Sequence, residues 1–277
     1  MRIIILCSLL ACHSLTFAQD ALANVQEMFD NGLYESVIEY VHSFEIRHSE
    51  DLLLEADAYH KLKEYEMAIS TYDRVLSRKK DNVLAYMRRG AANLELGEFG
   101  FALKDVKKAL RLSPENPEAN FHMGNICYDQ GDLKNAVKFY RLAIAFRPKY
   151  PQAIYMLGAA RSEQGQYKEA EKAFDQVLDE FPDATYNLAV VKLEAKKYTE
   201  SLELFDKAEE SGIETADLFF FRAESKFFLG DKHGACLDYK RAGNLNDEEA
   251  LDIYDQYCMK SKKKVDRKRR DVIHMDF

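Results

Sequence analysis

Two sets of side chains recur in register along this chain, and neither is equipped for bond making. Met87, Phe121, Tyr155, Tyr186 and Phe220 form an apolar, mostly aromatic series. Glu95, Asp129, Glu163 and Glu194 form a carboxylate series. Aromatic rings offer large contact area with little rotamer entropy to lose, so the first series suits anchoring a partner. Carboxylates in single file select for positive or neutral ligands. Reactive groups show no comparable order. Beyond the N-terminal segment the histidines are His42, His48, His60, His122, His233 and His274, with no HExxH pair and no Cys/His cluster at metal-ligand spacing. A phosphate-cradling GxxxxGK[ST] loop and a GxSxG elbow are both absent from the sequence. No catalytic residue, metal site or cofactor site is expected, and the chain is read as a non-enzyme.

The elements that position these series follow a fixed period. Gly90, Gly124 and Gly158 are 34 residues apart, as are Gly97, Gly131 and Gly165, then Ala102, Ala136 and Ala170, then Pro114, Pro148 and Pro182. A period of this size signals stacked supersecondary units. Within one unit, Phe121, Gly124, Cys127 and Tyr128 recur at helical spacing, Gly131-Asp132 interrupts, and Leu133, Ala136, Val137, Tyr140, Ala143 and Ile144 resume before Pro148. Each unit thus reads helix A, turn, helix B, loop. The aromatic series stands three residues before the helix-A Gly or Ala, and the carboxylate series five residues after it. Weaker units flank the strong ones: Ala56, Tyr59, Tyr65, Ala68 and Tyr72; Gly32, Tyr34, Val37 and Val41; Leu188-Ala189, Tyr198, Ser201, Phe205 and Ala208; and Ala223, Gly230-Asp231, Ala235, Tyr239 and Ala242. That makes about seven units, with three-residue deletions after the first and fifth. Leu251, Tyr254 and Cys258 then read as a capping helix.

These slots resemble the tetratricopeptide repeat (TPR) family, whose pattern has Leu-Gly in helix A, Ala and an aromatic in helix B, and a closing Pro. Leu157-Gly158, Ala170, Phe174 and Pro182 fill them, as do Gly124, Ala136, Tyr140 and Pro148. The family's helix-A tryptophan is missing; Tyr86, Asn120, Ile154 and Phe219 stand there instead. The resemblance covers roughly residues 20–245. It implies an all-α fold, a right-handed TPR-like superhelical solenoid of about seven helix-turn-helix repeats plus a C-terminal capping helix. It places the aromatic series, with Asn125 and Tyr128, on a concave groove that binds a protein or peptide, with Glu95, Asp129, Glu163 and Glu194 as an acidic rim. The Lys and Asn groups with which many TPR grooves hold a terminal carboxylate have no counterpart, so the expected partner is basic or neutral.

Residues 1–18 read as a signal peptide: Arg2, an apolar run over Ile3–Ala11, and Thr16-Phe17-Ala18 before Gln19. The rival reading is a lipobox, Leu9-Leu10-Ala11-Cys12, with Cys12 lipidated. Either predicts export, to the periplasm or outside the cell, or to a membrane surface as a lipoprotein. Residues 19–258 are the expected solenoid with its cap. From Gln19 the chain carries 38 Lys+Arg against 47 Asp+Glu, a net of −9. Residues 259–277 hold eight basic and three acidic residues, a net of +5, so Gln19–Cys258 is −14. The basic run Lys260–Arg270 is a solvated tail or an arm for anionic lipids or acidic proteins; behind a signal peptide, nucleic acid is not an expected partner. Cys236 and Cys258 fall on the last repeat helix and the cap helix, which should be neighbours. Gly234-Ala235-Cys236 and Tyr257-Cys258 also resemble the terminal repeat of other exported bacterial TPR proteins, and a disulfide stapling the cap is expected. Cys127 is expected to be a buried, inert thiol.

Overall fold

The computed structural model describes residues 23–44 and 48–259. Residues 1–18, read above as a signal peptide, Cys12 and the basic run Lys260–Arg270 lie outside the described residues. Those described are helical, with no strand among them. A helix α1 includes residues 23–30. It is followed by α2 (Tyr34–His42), α3 (Ser49–Lys61), α4 (Tyr65–Arg78), α5 (Val83–Glu95), α6 (Phe99–Leu112) and α7 (Pro117–Asp129). Then come α8 (Leu133–Phe146), α9 (Pro151–Glu163), α10 (Tyr167–Phe174), α11 (Asp183–Glu194) and α12 (Tyr198–Glu210). The series closes with α13 (Ala216–Phe228), α14 (Lys232–Asn244), α15 (Glu248–Ile253) and a single π-helical turn, Tyr254–Cys258.

The A-to-B turns reveal the repeat count most directly. Gly32, Gly97, Gly131, Gly165 and Gly230 all have φ between 72° and 88°. Lys63 and Lys196 fill the same slot in the second and sixth repeats, at φ 62° and 61°. Seven left-handed turns therefore stand 31 or 34 residues apart. Glycine adopts this conformation without a Cβ clash, whereas the two lysines are held there at a cost. Side-chain caps start several helices: the Oδ1 atoms of Asn82, Asn116 and Asp247 accept from the backbone N–H groups of Ala85, Ala119 and Ala250, at 3.1, 2.8 and 2.9 Å.

The chain forms two compact units, up to Ile126 and from Cys127 onward. In the first, Val25, Val37 and Val41 join α1 to α2, and Leu52, Ala56, Ala68, Tyr72 and Val75 form the α3–α4 core. Met87, Ala109 and Ala119 link α5, α6 and α7. A Cβ at Gly90 would stand 3.0 Å from Val106 Cγ2, so the glycine sets how closely α5 and α6 approach. In the second unit consecutive helices from α8 to α15 pack in sequence. One core there joins Ala189, Phe205, Leu218, Phe220, Tyr239 and Ile253. Helix α10 ends at Phe174, sooner than the other B helices, and turns over 175–180 keep Val177 buried.

Candidate functional site

Helix A of each repeat carries the residues singled out in the sequence, and the structure divides the aromatic series. Met87, Tyr155 and Phe220 are core, at 3, 8 and 4% exposure. The expectation that they line an open groove is corrected. Tyr155 packs its ring against Phe174 and Phe181, with centroids 5.5 and 5.1 Å away, and its hydroxyl oxygen accepts from Asn187 Nδ2 at 2.5 Å. Burial foremost, then the charge of Asp183, pushes the Tyr155 hydroxyl up to about 12, against the Asn187 bond. Phe220 meets Phe221 and Tyr239 edge-on. The physical reason is that the slot faces the seam between helix A and its neighbours, where the next element closes over it. Tyr186 is partly buried, with its ring 5.9 Å from Phe205. Phe121, Asn125 and Tyr128 also remain partly exposed.

The carboxylate series sits at the ends of the A helices, and three of its four members accept a tyrosine hydroxyl. In the first unit Tyr65 donates to Glu95 at 3.4 Å. In the second, Tyr128 donates to Glu163 and Tyr167 to Glu194, the latter at 3.1 Å. Tyr65 and Tyr167 open a helix B, so those bonds tie one repeat to helix A of the next. Burial, then the Glu163 bond, drives the Tyr128 hydroxyl far above its ordinary range. Desolvation by neighbouring atoms raises the Asp129 carboxyl. One repeat later the slot holds Phe228, and Tyr198 stacks on it at 4.6 Å and 14° in place of a hydrogen bond. These glutamates therefore serve the stack as well as its surface.

Two clusters escaped the sequence reading. Arg89 forks onto Asp105, Nε to Oδ2 at 2.7 Å and Nη2 to Oδ1 at 2.6 Å, and also binds Asp73. Arg222 repeats this arrangement with Asp238 and Asp206. In both, the aspartates lie 16 residues before and after the arginine. This symmetric spacing was the available signal, obscured because the other repeats carry no arginine there. Lys192 is likewise buried between Glu171 and Glu200; burial works to lower its pKa, but hydrogen bonds to both carboxylates leave it raised.

Cys236 and Cys258 are bonded, Cα atoms 5.8 Å apart, joining α14 to the π turn. Cys127 lies outside the disulfide and is partly exposed, which corrects its expected burial. Among the described residues no three His, Cys, Asp or Glu side chains converge as a metal site, and no helix is long and apolar enough to cross a membrane.

Comparison with known proteins fits this architecture. Models described as tetratricopeptide repeat match residues 52–82 and 155–214, and one described as TPR repeat matches 124–165. No curated protein matches the chain by sequence. Among solved structures, PilW, described as a widely conserved type IV pilus biogenesis factor, is 22% identical over 74% of this chain and 97% of its own, with a TM-score of 0.64. PilF of Pseudomonas aeruginosa is 15% identical over 77% of this chain and 97% of its own, with a TM-score of 0.65. YrrB, described as a TPR protein with an unusual peptide-binding site, is 19% identical over 66% of this chain and 96% of its own, with a TM-score of 0.59. At these identities the likeness establishes the fold alone. With seven left-handed A-to-B turns at TPR spacing and three matching repeat models, the chain belongs to the tetratricopeptide repeat family.

Proposed function

We propose that the chain is an exported, non-catalytic scaffold that holds a basic or neutral protein segment against the helix-A faces of its units. The observation that carries this reading is that, within each unit, aromatics and carboxylates in register stay open to solvent: Tyr128, Asp129, Glu163, Tyr186 and Glu194 in the second unit, and separately Glu95, Phe121 and Asn125 in the first. The hydrogen bonds from Tyr65, Tyr128 and Tyr167 hold three of the carboxylates in place, so a ligand meets a largely preformed surface. The peptide-binding description of YrrB supports the same class of partner.

Peptide display on the full chain tests the proposal. Selected decapeptides should be enriched in Lys, Arg and apolar residues, and Tyr128→Ala or Glu163→Gln should weaken them at least about fivefold. Enrichment of acidic peptides, or binding indifferent to both variants, would overturn it.

A second reading, a membrane-associated envelope assembly factor, draws on Leu9-Leu10-Ala11-Cys12 and on the basic run Lys260–Arg270. The pilus-biogenesis description of PilW is compatible with it. Mass spectrometry of the native N-terminus separates the two: Gln19 as first residue supports a cleaved, unanchored protein, and a lipidated Cys12 supports the anchored one.

A further inference from the structure

The outward side of α6 carries more positive charge than the fold requires. The buried residues of this helix, Ala102, Asp105, Val106 and Ala109, share one face. Val106 meets α5 at Gly90, and Ala109 packs with Met87 and Ala119. At about 3.6 residues per turn, Lys104 and Arg111 project from the opposite side, with Lys107 and Lys108 on either flank. Lys104, Lys107 and Arg111 are exposed, and Lys108 is partly so. The one carboxylate within α6 is Asp105, which is buried and gripped by Arg89. Among the described residues none of the four cations has an ion pair or a side-chain hydrogen bond. Helix α10, by contrast, sets Glu169 and Glu171 between Lys168 and Lys172. Arg111 in the last turn answers the helix dipole, but nothing in the packing calls for the three lysines. Phe101 and Leu112 edge the same face beside Lys108, at 62 and 38% exposure.

Lysine is a compact, strongly hydrated point charge suited to diffuse attraction, whereas a bidentate grip on one carboxylate would call for arginine. The four cations stand on the convex side of a single helix, which offers a ridge and not a cleft. Such a ridge, edged by apolar side chains, fits an extended anionic plane better than one peptide. Anionic head groups attract clustered cations, and apolar side chains beside them enter the boundary with the acyl chains. Residues 19–258 carry a net charge of −14, so the same plane repels the rest of the chain and favours this face.

We propose that the outward face of α6 seats the first unit on an anionic lipid bilayer, with Lys104, Lys107, Lys108 and Arg111 at the head groups and Phe101 and Leu112 beneath them. This inference goes beyond the peptide-binding reading and does not depend on it. It gives the chain a membrane contact other than Cys12 and the basic run Lys260–Arg270.

The chain contains no tryptophan, so Phe101→Trp places a single fluorescent reporter on the proposed face. The full chain with this substitution is titrated with vesicles of phosphatidylcholine alone, or of equal parts phosphatidylcholine and phosphatidylglycerol. The anionic vesicles should shift the emission to the blue by about 5–10 nm, and the neutral ones should leave it unchanged. Salt at about 0.5 M should reverse the shift. Adding Lys104→Gln and Lys107→Gln should weaken vesicle binding about tenfold, with helicity unchanged. Tethering through residues 1–18 or the basic run leaves this reporter in water. No shift with anionic vesicles, an equal shift with neutral ones, or indifference to the lysine variant would each overturn the proposal. So would a blue shift at Leu237→Trp on α14 with none at Phe101→Trp, which would move the membrane contact to the second unit. A response to polyglutamate or duplex DNA in place of vesicles would assign the face to an acidic macromolecule and overturn it as well.

Discussion

The guanidinium of Arg222 forks onto the carboxylate of Asp238, Nε to Oδ2 at 2.8 Å and Nη2 to Oδ1 at 2.9 Å, with only 4 and 2% of the two side chains exposed. Lys226 adds a contact to Asp238 at 2.7 Å, and Arg241 lies 4.3 Å over the ring of Phe219, which Arg222 also faces. Arg222→Met removes one side of a buried pair and should cost about 3–5 kcal/mol in urea unfolding. Adding Asp238→Leu to Arg222→Met should recover much of that loss. A single-variant loss below about 1 kcal/mol would show the fork to be incidental.

The lysines in left-handed turns offer a gain. Lys196→Gly and Lys63→Gly relieve a positive φ that the other five repeats meet with glycine. Each should stabilise the chain by roughly 0.5–1 kcal/mol, and Gly165→Lys should lose a similar amount. Thermal unfolding of the three variants decides the sign.

Acid should destabilise the first unit through His122. Its folded pKa, about 4, lies below the ordinary 6.5, burial being the main cause. Between these values the unfolded chain binds the proton and the folded chain does not. The stability contribution is therefore complete above about pH 6.5 and is lost as pH falls toward 4, by at most on the order of 3 kcal/mol. His122→Leu should flatten that part of the stability profile; an unchanged slope would remove His122 as its source.

Reducing the Cys236–Cys258 bond opens a loop of 22 residues of sequence separation. The expected cost is about 3 kcal/mol, concentrated in α14, α15 and the π turn. Hydrogen exchange with and without reductant should show protection lost there and kept in α9. Uniform loss along the second unit would instead mean that the bond supports the whole stack.

Tyr155 now carries a stability prediction. Tyr155→Ala empties a space against Phe174 and Phe181 and leaves Asn187 without the Tyr155 oxygen, so it should cost about 3–5 kcal/mol. Tyr155→Phe keeps the packing and should cost only about 1–2 kcal/mol. A Tyr155→Ala protein of unchanged stability would return this residue to the list of surface anchors.

The repeat architecture was legible in the residues alone, because each repeat solves the same packing problem with the same local means. Gly97, Gly131 and Gly165 mark turns that need a left-handed backbone, and Gly90 and Gly158 mark close helix approaches, with Val106 and Phe174 standing 3.0 Å from where a Cβ would be. Such constraints act over a few residues and recur with the period, so spacing exposes them. The fate of the aromatic slot was not legible. Met87, Phe121, Tyr155, Tyr186 and Phe220 hold the same repeat position, yet three are core and two are part-exposed. Whether a side chain there is covered depends on which residues arrive from the next element, as Phe181 does over Tyr155. Likewise, each carboxylate in the acidic register could be recognised in isolation, but not the tyrosine donors that three of them accept from, and Arg89 and Arg222 find their partners only when α6 and α14 bring aspartates against them. Helical period and turn chemistry are local properties that the chain carries within itself. Burial and pairing belong to contacts between repeats, and only the tertiary structure decides those.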